Sequence, residues 1–221
     1  MATYAVTGAN GGIGLEYCRQ LVQRGDEAIA ICRSASDELK SLDVRIESGV
    51  DVTSDREVAE LATRLSDTAI DVLINNAGIL ERVTLDNLDF ESIRRQFEIN
   101  AIGPLRVTQA LLPNLKAGSK LVLMTSRMGS IEDNTSGSSY GYRMSKVALS
   151  MAGKSLAHDL KSRGIAVAIL HPGLVSTAMT GFTSNGITPA TSVKGLLQRI
   201  DDLTLTNTGT FWHANGEVLP W

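Results

Sequence analysis

Residues 7–14 read TGANGGIG. They follow the apolar run TYAVTG of residues 3–8 and open the amphipathic run GIGLEYCRQLVQRG of residues 12–25. Glycines at 8, 12 and 14 allow a tight turn and let another backbone or a ligand approach closely. A helix starting there presents unpaired N–H groups and the positive end of its dipole, which suits a pyrophosphate. Glycines alone also mark ordinary loops. Their place between a first strand and a first helix is what gives this turn meaning.

The pattern repeats outward from that turn. Strand-like runs stand at 27–32 (EAIAIC), within 43–52, at 70–78 (IDVLINNAG), at 119–126 (SKLVLMTS), at 165–173 (IAVAILHPG) and within the closing 209–221. Helix-length runs separate them. Residues 56–66 place Val58, Leu61, Ala62 and Leu65 on one face. Residues 90–115 predict one long helix kinked at Gly103-Pro104. Residues 140–164 predict a second long helix, and 190–203 the last. VLIN and LVLM lack polar alternation and so suit strands covered on both faces. The expected fold is α/β: a doubly wound parallel sheet of the Rossmann type, about seven strands with helices on both faces, in a single domain over residues 1–221. Such sheets bind ligands beyond the carboxyl ends of their strands.

The composition narrows the function classes. Hydrophobic residues make up 43% and charged residues 20%, the balance of an ordinary globular chain. A net charge of −3 gives no electrostatic case for nucleic acid or an anionic membrane. The apolar runs are too short for a membrane span, and MATYAVTGANGG lacks the basic-then-apolar plan of a secretory leader, so the expected location is cytoplasmic. Cys18 and Cys32 read as reduced core fillers. Three histidines and two cysteines form no cluster of metal-ligand spacing, so no metal is expected. Neither G-x-S-x-G nor a Cys/His pair points to hydrolysis.

SSYGYRMSK, residues 138–146, places Tyr142 four residues before Lys146. On a helix those two side chains share a face, whereas Met144 stands four residues after Tyr140. A free phenol, with a pKa of about 10, is a poor base near neutrality. An adjacent ammonium favours the phenolate, and such a tyrosine can pass a proton to or from an alcohol or carbonyl oxygen. Y-x-x-x-K recurs by chance, so the pair carries weight only with its companions. Ser126 ends a strand, where its hydroxyl can meet a reacting oxygen. Asn100 sits inside a predicted helix, where asparagine is unfavourable unless it has work, such as holding a water. NNAG at 75–78 and PG at 172–173 end two further strands.

Together with T-G-x-x-x-G-x-G at the opening turn, these features resemble the short-chain dehydrogenase/reductase family over essentially the whole chain. The resemblance implies that Tyr142 is the catalytic acid/base, that Lys146 lowers its pKa and binds the nicotinamide ribose, that Ser126 orients a substrate carbonyl, and that Asn100 completes a proton relay through water to Lys146. It implies a cofactor lined by Gly8, Asn10, Gly12, Ile13, Gly14 and the run Asn75 to Gly78, with Asn75, Ala77 and Gly78 as contacts. Asp51 and Val52 would hold its adenine, and Pro172, Gly173, Val175 and Thr177 would bracket its nicotinamide. SRMGSIEDN at 126–134, YGYRMSKVALSMAGKSLAHDL at 140–160, HPGLVST at 171–177 and the closing GTFWHANGEVLPW are similar to the compact C-factor/sniffer-type branch, which includes carbonyl reductases and a cell-contact signalling protein.

An NAD-selective site usually has an acidic residue at the end of the second strand. Cys32 stands there, followed by Arg33 and Ser34, which can pair with a 2′-phosphate. NADP is therefore expected over NAD. Met128, Tyr140, Met179 and Phe182 are the expected substrate contacts, with 174–187 as a mobile segment over the site. Two readings of function result: an NADPH-dependent reductase of an aldehyde, ketone or quinone, or an NAD(P)-binding signalling protein with little turnover. The partners expected are a small-molecule carbonyl substrate and a second copy of the chain, since the two long helices carry apolar residues and the family pairs through them as dimers or tetramers.

Overall fold

A computed structural model describes residues 1–221. The strands are β1 (Thr3–Thr7), β2 (Glu27–Ile31), β3 (Arg45–Glu47), β4 (Val72–Asn75), β5 (Lys120–Met124), β6 (Ala166–His171) and β7 (Phe211–His213). They form one sheet in the order β3-β2-β1-β4-β5-β6-β7, and every pairing is parallel. The order reverses between β1 and β4, so the crevice at the carboxyl ends of these strands is where a ligand is received.

Alternation along each strand feeds two cores. Tyr4, Val6, Ala28, Ala30, Val122 and Met124 point to one face, where they meet Leu15, Cys18 and Leu21 of α1 (Gly12–Gln23) and Val193, Leu196 and Ile200 of α7 (Pro189–Asp201). Ala5, Ile29, Ile31, Leu73, Leu121 and Leu123 point to the other. There they meet Val58 and Leu61 of α3 (Asp55–Arg64), Val107 and Leu111 of α5 (Gly103–Leu111), and Leu149 of α6 (Tyr140–Asp159). Unbroken apolar strands and one-sided helices are thus two halves of the same packing. Caps set the helix starts: Ser54 Oγ accepts the Glu57 N–H, and Thr188 Oγ1 accepts the Thr191 N–H. A short helix, α2 (Asp37–Lys40), was not expected; Ser36 caps it by accepting the Leu39 N–H.

The long helix expected over 90–115 is in fact interrupted. Helix α4 (Phe90–Phe97) passes into a π turn over Glu98–Ile102 and then into α5. Pro104 has no N–H to offer the carbonyl of Asn100, four residues back, so the α ladder cannot run through. The widened turn lies just before Gly103-Pro104 rather than at it. Gly103 also lets Val52 close in, since a Cβ there would lie 2.8 Å from Val52 Cγ2. No helix is long and apolar enough to cross a membrane.

Candidate active site

A cleft of about 360 Å³ opens at the carboxyl ends of β1, β2, β4, β5 and β6. The glycine turn forms its floor. Gly8 has φ +68°, and a Cβ on it would stand 2.9 Å from Ala77 Cα. A Cβ on Gly14 would stand 2.2 Å from the Gly8 carbonyl oxygen, so only glycine lets α1 start this close to the turn. Gly11 caps α1 without any side-chain bond, which leaves the opening N–H groups of the helix directed at the cleft region. Asn10, Gly12 and Ile13 line it, while Gly14 supports it from behind.

Residues 75–78 divide differently from the expectation. Ala77 and Gly78 line the cleft, but Asn75 does not. Asn75 is buried and its Nδ2 donates to Thr108 Oγ1 at 3.0 Å, toward α5. The residue that lines the cleft is Asn76, whose Nδ2 donates to the Thr7 carbonyl at 3.0 Å. Thr7 Oγ1 in turn accepts the N–H groups of Asn76 and Ala77, each at 3.0 Å. The alternation of β4 carried this information: Leu73 faces the α5 side, so Asn75, two residues on, does too.

Of the two tyrosines, Tyr142 reaches the cleft and Tyr140 does not. Lys146 Nζ lies 5.6 Å from the centroid of the Tyr142 ring and donates to the Met124 carbonyl at 2.9 Å. Both residues are buried. Burial pulls the Lys146 ammonium down to about 8. Burial also raises the Tyr142 phenol above its ordinary value, and the Ser126 hydroxyl beside it offsets this only in part. In the protein alone the phenol therefore lies above its ordinary range, because burial resists ionisation at both groups. Ser126 itself is buried and does not line the cleft; its Oγ accepts the Met128 N–H at 3.1 Å.

Asn100 is fully buried in the π turn. Its Oδ1 accepts the Ile79 N–H at 2.8 Å, and its Nδ2 donates to the Ile79 carbonyl and to Ser145 Oγ. The side chain clamps the segment after β4. The group Pro104 deprives of an α-helical donor is its backbone carbonyl.

At the other end Cys32, Arg33, Asp51 and Val52 line the cleft, and Ser34 does not. The Arg33 side chain is 76% exposed and stands 4.0 Å from Asp51. Burial raises the Asp51 carboxyl, but the Thr53 amide and hydroxyl and the charges of Arg33 and Arg106 together hold it below its ordinary value. Beyond β6, Pro172, Thr177 and Met179 line the cleft, with Ala178 between them. Gly173 turns with φ +87° against Ile187 and His213, and Val175 is buried in a bridge to Ile187, so neither faces the cleft. Met128, Tyr140 and Phe182 stand outside it, Phe182 exposed at the surface. Gly11, Ile79, Ile99, Met124 and Thr125 line it without having been singled out in the sequence. Ordinary apolar and small residues carry no motif.

A buried tyrosine, lysine and serine beside a strand-turn-helix glycine floor define a Rossmann-type nucleotide cleft furnished for proton transfer. Comparison with known proteins places it further. The family model for short chain dehydrogenase matches residues 2–187, and the chain belongs to the short-chain dehydrogenase/reductase family. It is 42% identical to 1-hydroxy-2-glutathionyl-2-methyl-3-butene dehydrogenase of Rhodococcus sp. (strain AD45), covering 100% of each chain. It is 44% identical to C-signal of Myxococcus xanthus, over 72% of this chain and 98% of that one. The NADPH-bound carbonyl reductase from chicken fatty liver superposes with a TM-score of 0.92 at 29% identity, over 100% of this chain and 99% of that one. The chain is thus a member of an oxidoreductase family that uses a nicotinamide cofactor, on a fold shared with carbonyl reductases.

Proposed function

We propose that the protein is an NADPH-dependent carbonyl reductase. The observation that carries this reading is the buried Tyr142–Lys146 pair opening into the same cleft as the glycine turn. The residues fit the dinucleotide. The turn is a cradle that a Cβ at Gly8 or Gly14 would fill. Lys146 is a buried cation whose protein acceptor is the Met124 carbonyl, which leaves N–H groups for ribose hydroxyls. When bound, the nicotinamide supplies the hydride. Tyr142 Oη gives the proton to the substrate oxygen, and Ser126 Oγ donates a hydrogen bond that fixes that oxygen. Burial keeps Tyr142 protonated until then. The Lys146 ammonium, placed within reach of the ring, favours the phenolate left behind. Asn100 holds Ile79 and Ser145 in place and offers its backbone carbonyl to a proton path from Lys146. Run in reverse, the same groups oxidise an alcohol, as the name of the Rhodococcus relative states for that enzyme.

Arg33 supports NADPH over NADH. Its exposed guanidinium touches Asp51 only at 4.0 Å and is free to take a second anion. Arg33→Ala is expected to weaken NADPH binding about tenfold while leaving NADH unchanged, the loss of one charge-assisted contact. Equal losses for both cofactors, in a titration of intrinsic fluorescence, would remove this argument. Exposed Ile102 and Leu105, on the π turn and α5, and Met144 and Met151, on α6, support self-association, which sedimentation velocity tests; a monomer at micromolar concentration speaks against it.

A second reading, a cofactor-binding signalling protein, is favoured by the C-signal relative. The loss of NADPH absorbance with aldehydes, diketones and quinones decides between them. Turnover supports the reductase. NADPH binding without turnover across the whole set favours the signalling role.

A further inference from the structure

Residues 137–139 run against the chemistry of their side chains. Gly137, Ser138 and Ser139 have φ of +61°, +59° and +51°. Three successive residues are left-handed, and two of them are serines, which carry the steric cost that glycine escapes. Such a segment persists only where its surroundings hold it. Ser139 leads directly into α6 as its N-cap, with no side-chain cap of its own.

Asn134 Oδ1 accepts the Gly137 N–H at 3.1 Å, and Arg143, the residue after Tyr142, reaches furthest along the segment. Its Nε donates to the Gly137 carbonyl at 3.0 Å, one Nη to Ser136 Oγ at 2.8 Å, and the other to the Met128 carbonyl at 3.3 Å. One planar fork thus grips both ends of the segment that runs from Ser126 to α6. The opposite side of that segment is pinned separately, by Arg127 bridging Asp133 and Glu217. Arg127 is matched by carboxylates, whereas all three Arg143 bonds go to neutral oxygens of the segment. Arg143 therefore reads as a geometric clasp more than as half of an ion pair.

We propose that Arg143 is a positioning residue that holds the strained segment 128–139 against the catalytic helix and so sets the substrate side of the site. The kinetic part of this proposal rests on the reductase reading above; the structural part does not. Arg143→Met, Arg143→Lys, and Arg143→Met combined with Ser138→Gly and Ser139→Gly test it. Amide hydrogen exchange over 128–139, NADPH affinity, KM and kcat are the readouts. Arg143→Met is expected to speed exchange across 128–139 and raise KM about tenfold, with NADPH affinity unchanged and kcat within about threefold. Arg143→Lys should fall between, because an ammonium cannot span three acceptors in one plane. The two glycines should recover most of both losses, since they make the left-handed path cheap.

Exchange and KM equal to wild type in Arg143→Met overturn the proposal. So does a loss that neither lysine nor the glycines relieve, which would mark Arg143 as an ordinary packing residue. If Arg143→Met does not fold, Arg143→Lys decides: intermediate exchange upholds the clasp, and wild-type exchange overturns it. If the wild type reduces no carbonyl, the reductase reading fails by itself and the exchange results alone judge the clasp.

Discussion

Tyr142→Phe is expected to lower turnover by about 10²–10⁴-fold, the range for removing a positioned proton donor. The substitution deletes one oxygen and keeps a ring that is already buried, so the packing around this position of α6 survives. NADPH affinity should stay within about twofold, because the glycine turn, Arg33 and Lys146 are untouched and no lost bond exceeds the net worth of one hydrogen bond. Tyr140→Phe is the control. Tyr140 lies outside the cleft and fastens the neighbouring segment through its backbone, its N–H donating to the Val83 carbonyl at 3.2 Å. Phenylalanine keeps that bond, and turnover should change less than about threefold. A Tyr142→Phe protein that still reduces the same carbonyl at a comparable rate would sink the assignment. Loss of activity in both variants would instead implicate the shared Tyr-Gly-Tyr geometry. Gly141 between them admits no side chain, since a Cβ there would stand 2.5 Å from Gln96 Nε2.

What sequence reveals here is what local pattern encodes. Buried parallel strands announce themselves because both faces must be apolar, so all seven lie where the runs predict, within a few residues at the ends. The glycine turn is legible because close approach forbids every other residue. That Tyr142 rather than Tyr140 shares a helix face with Lys146 follows from helical spacing alone. Beyond that the information is relational. Asn75 and Asn76 are adjacent and chemically identical, and only the direction of β4 decides which faces the cleft. The π turn at Asn100 depends on a missing N–H four residues later, a signal present in Pro104 but easily read as a kink at the proline itself. The direction of the Tyr142 shift depends on how dry the site is, which no spacing reports. The clasp at Arg143 grips acceptors six, seven and fifteen residues away, on a backbone path that serines do not advertise.

That dryness has a thermodynamic consequence at Lys146. In the unfolded chain its ammonium keeps its proton up to the ordinary value of 10.5, and in the folded protein only to about 8. Between those limits the unfolded state holds more protons, so the stability of the fold rises with pH through that window. Below about 8 the full cost of burying the charge is present, and above about 10.5 it is gone. At about 1.4 kcal/mol for each tenfold in proton affinity, the cost is about 3 kcal/mol. Lys146→Met keeps most of the side-chain volume and removes the charge. It also orphans the Met124 carbonyl, which takes back about 1 kcal/mol. The variant, without cofactor, is therefore expected to be more stable than wild type at pH 7 by about 2 kcal/mol, or about 4–8 °C in Tm for a chain of this size. The advantage should shrink as pH rises from 8, vanish before 10.5 and reverse above it to a deficit of about 1 kcal/mol, the orphaned carbonyl alone. Turnover should be lost at every pH. Thermal melts of the two proteins from pH 6.5 to 10.5 check this. A variant less stable at pH 7, or an offset independent of pH, would mean that Lys146 is neutralised in the fold by something other than burial. The expected pattern would instead show that the fold carries a destabilising charge because the chemistry needs it.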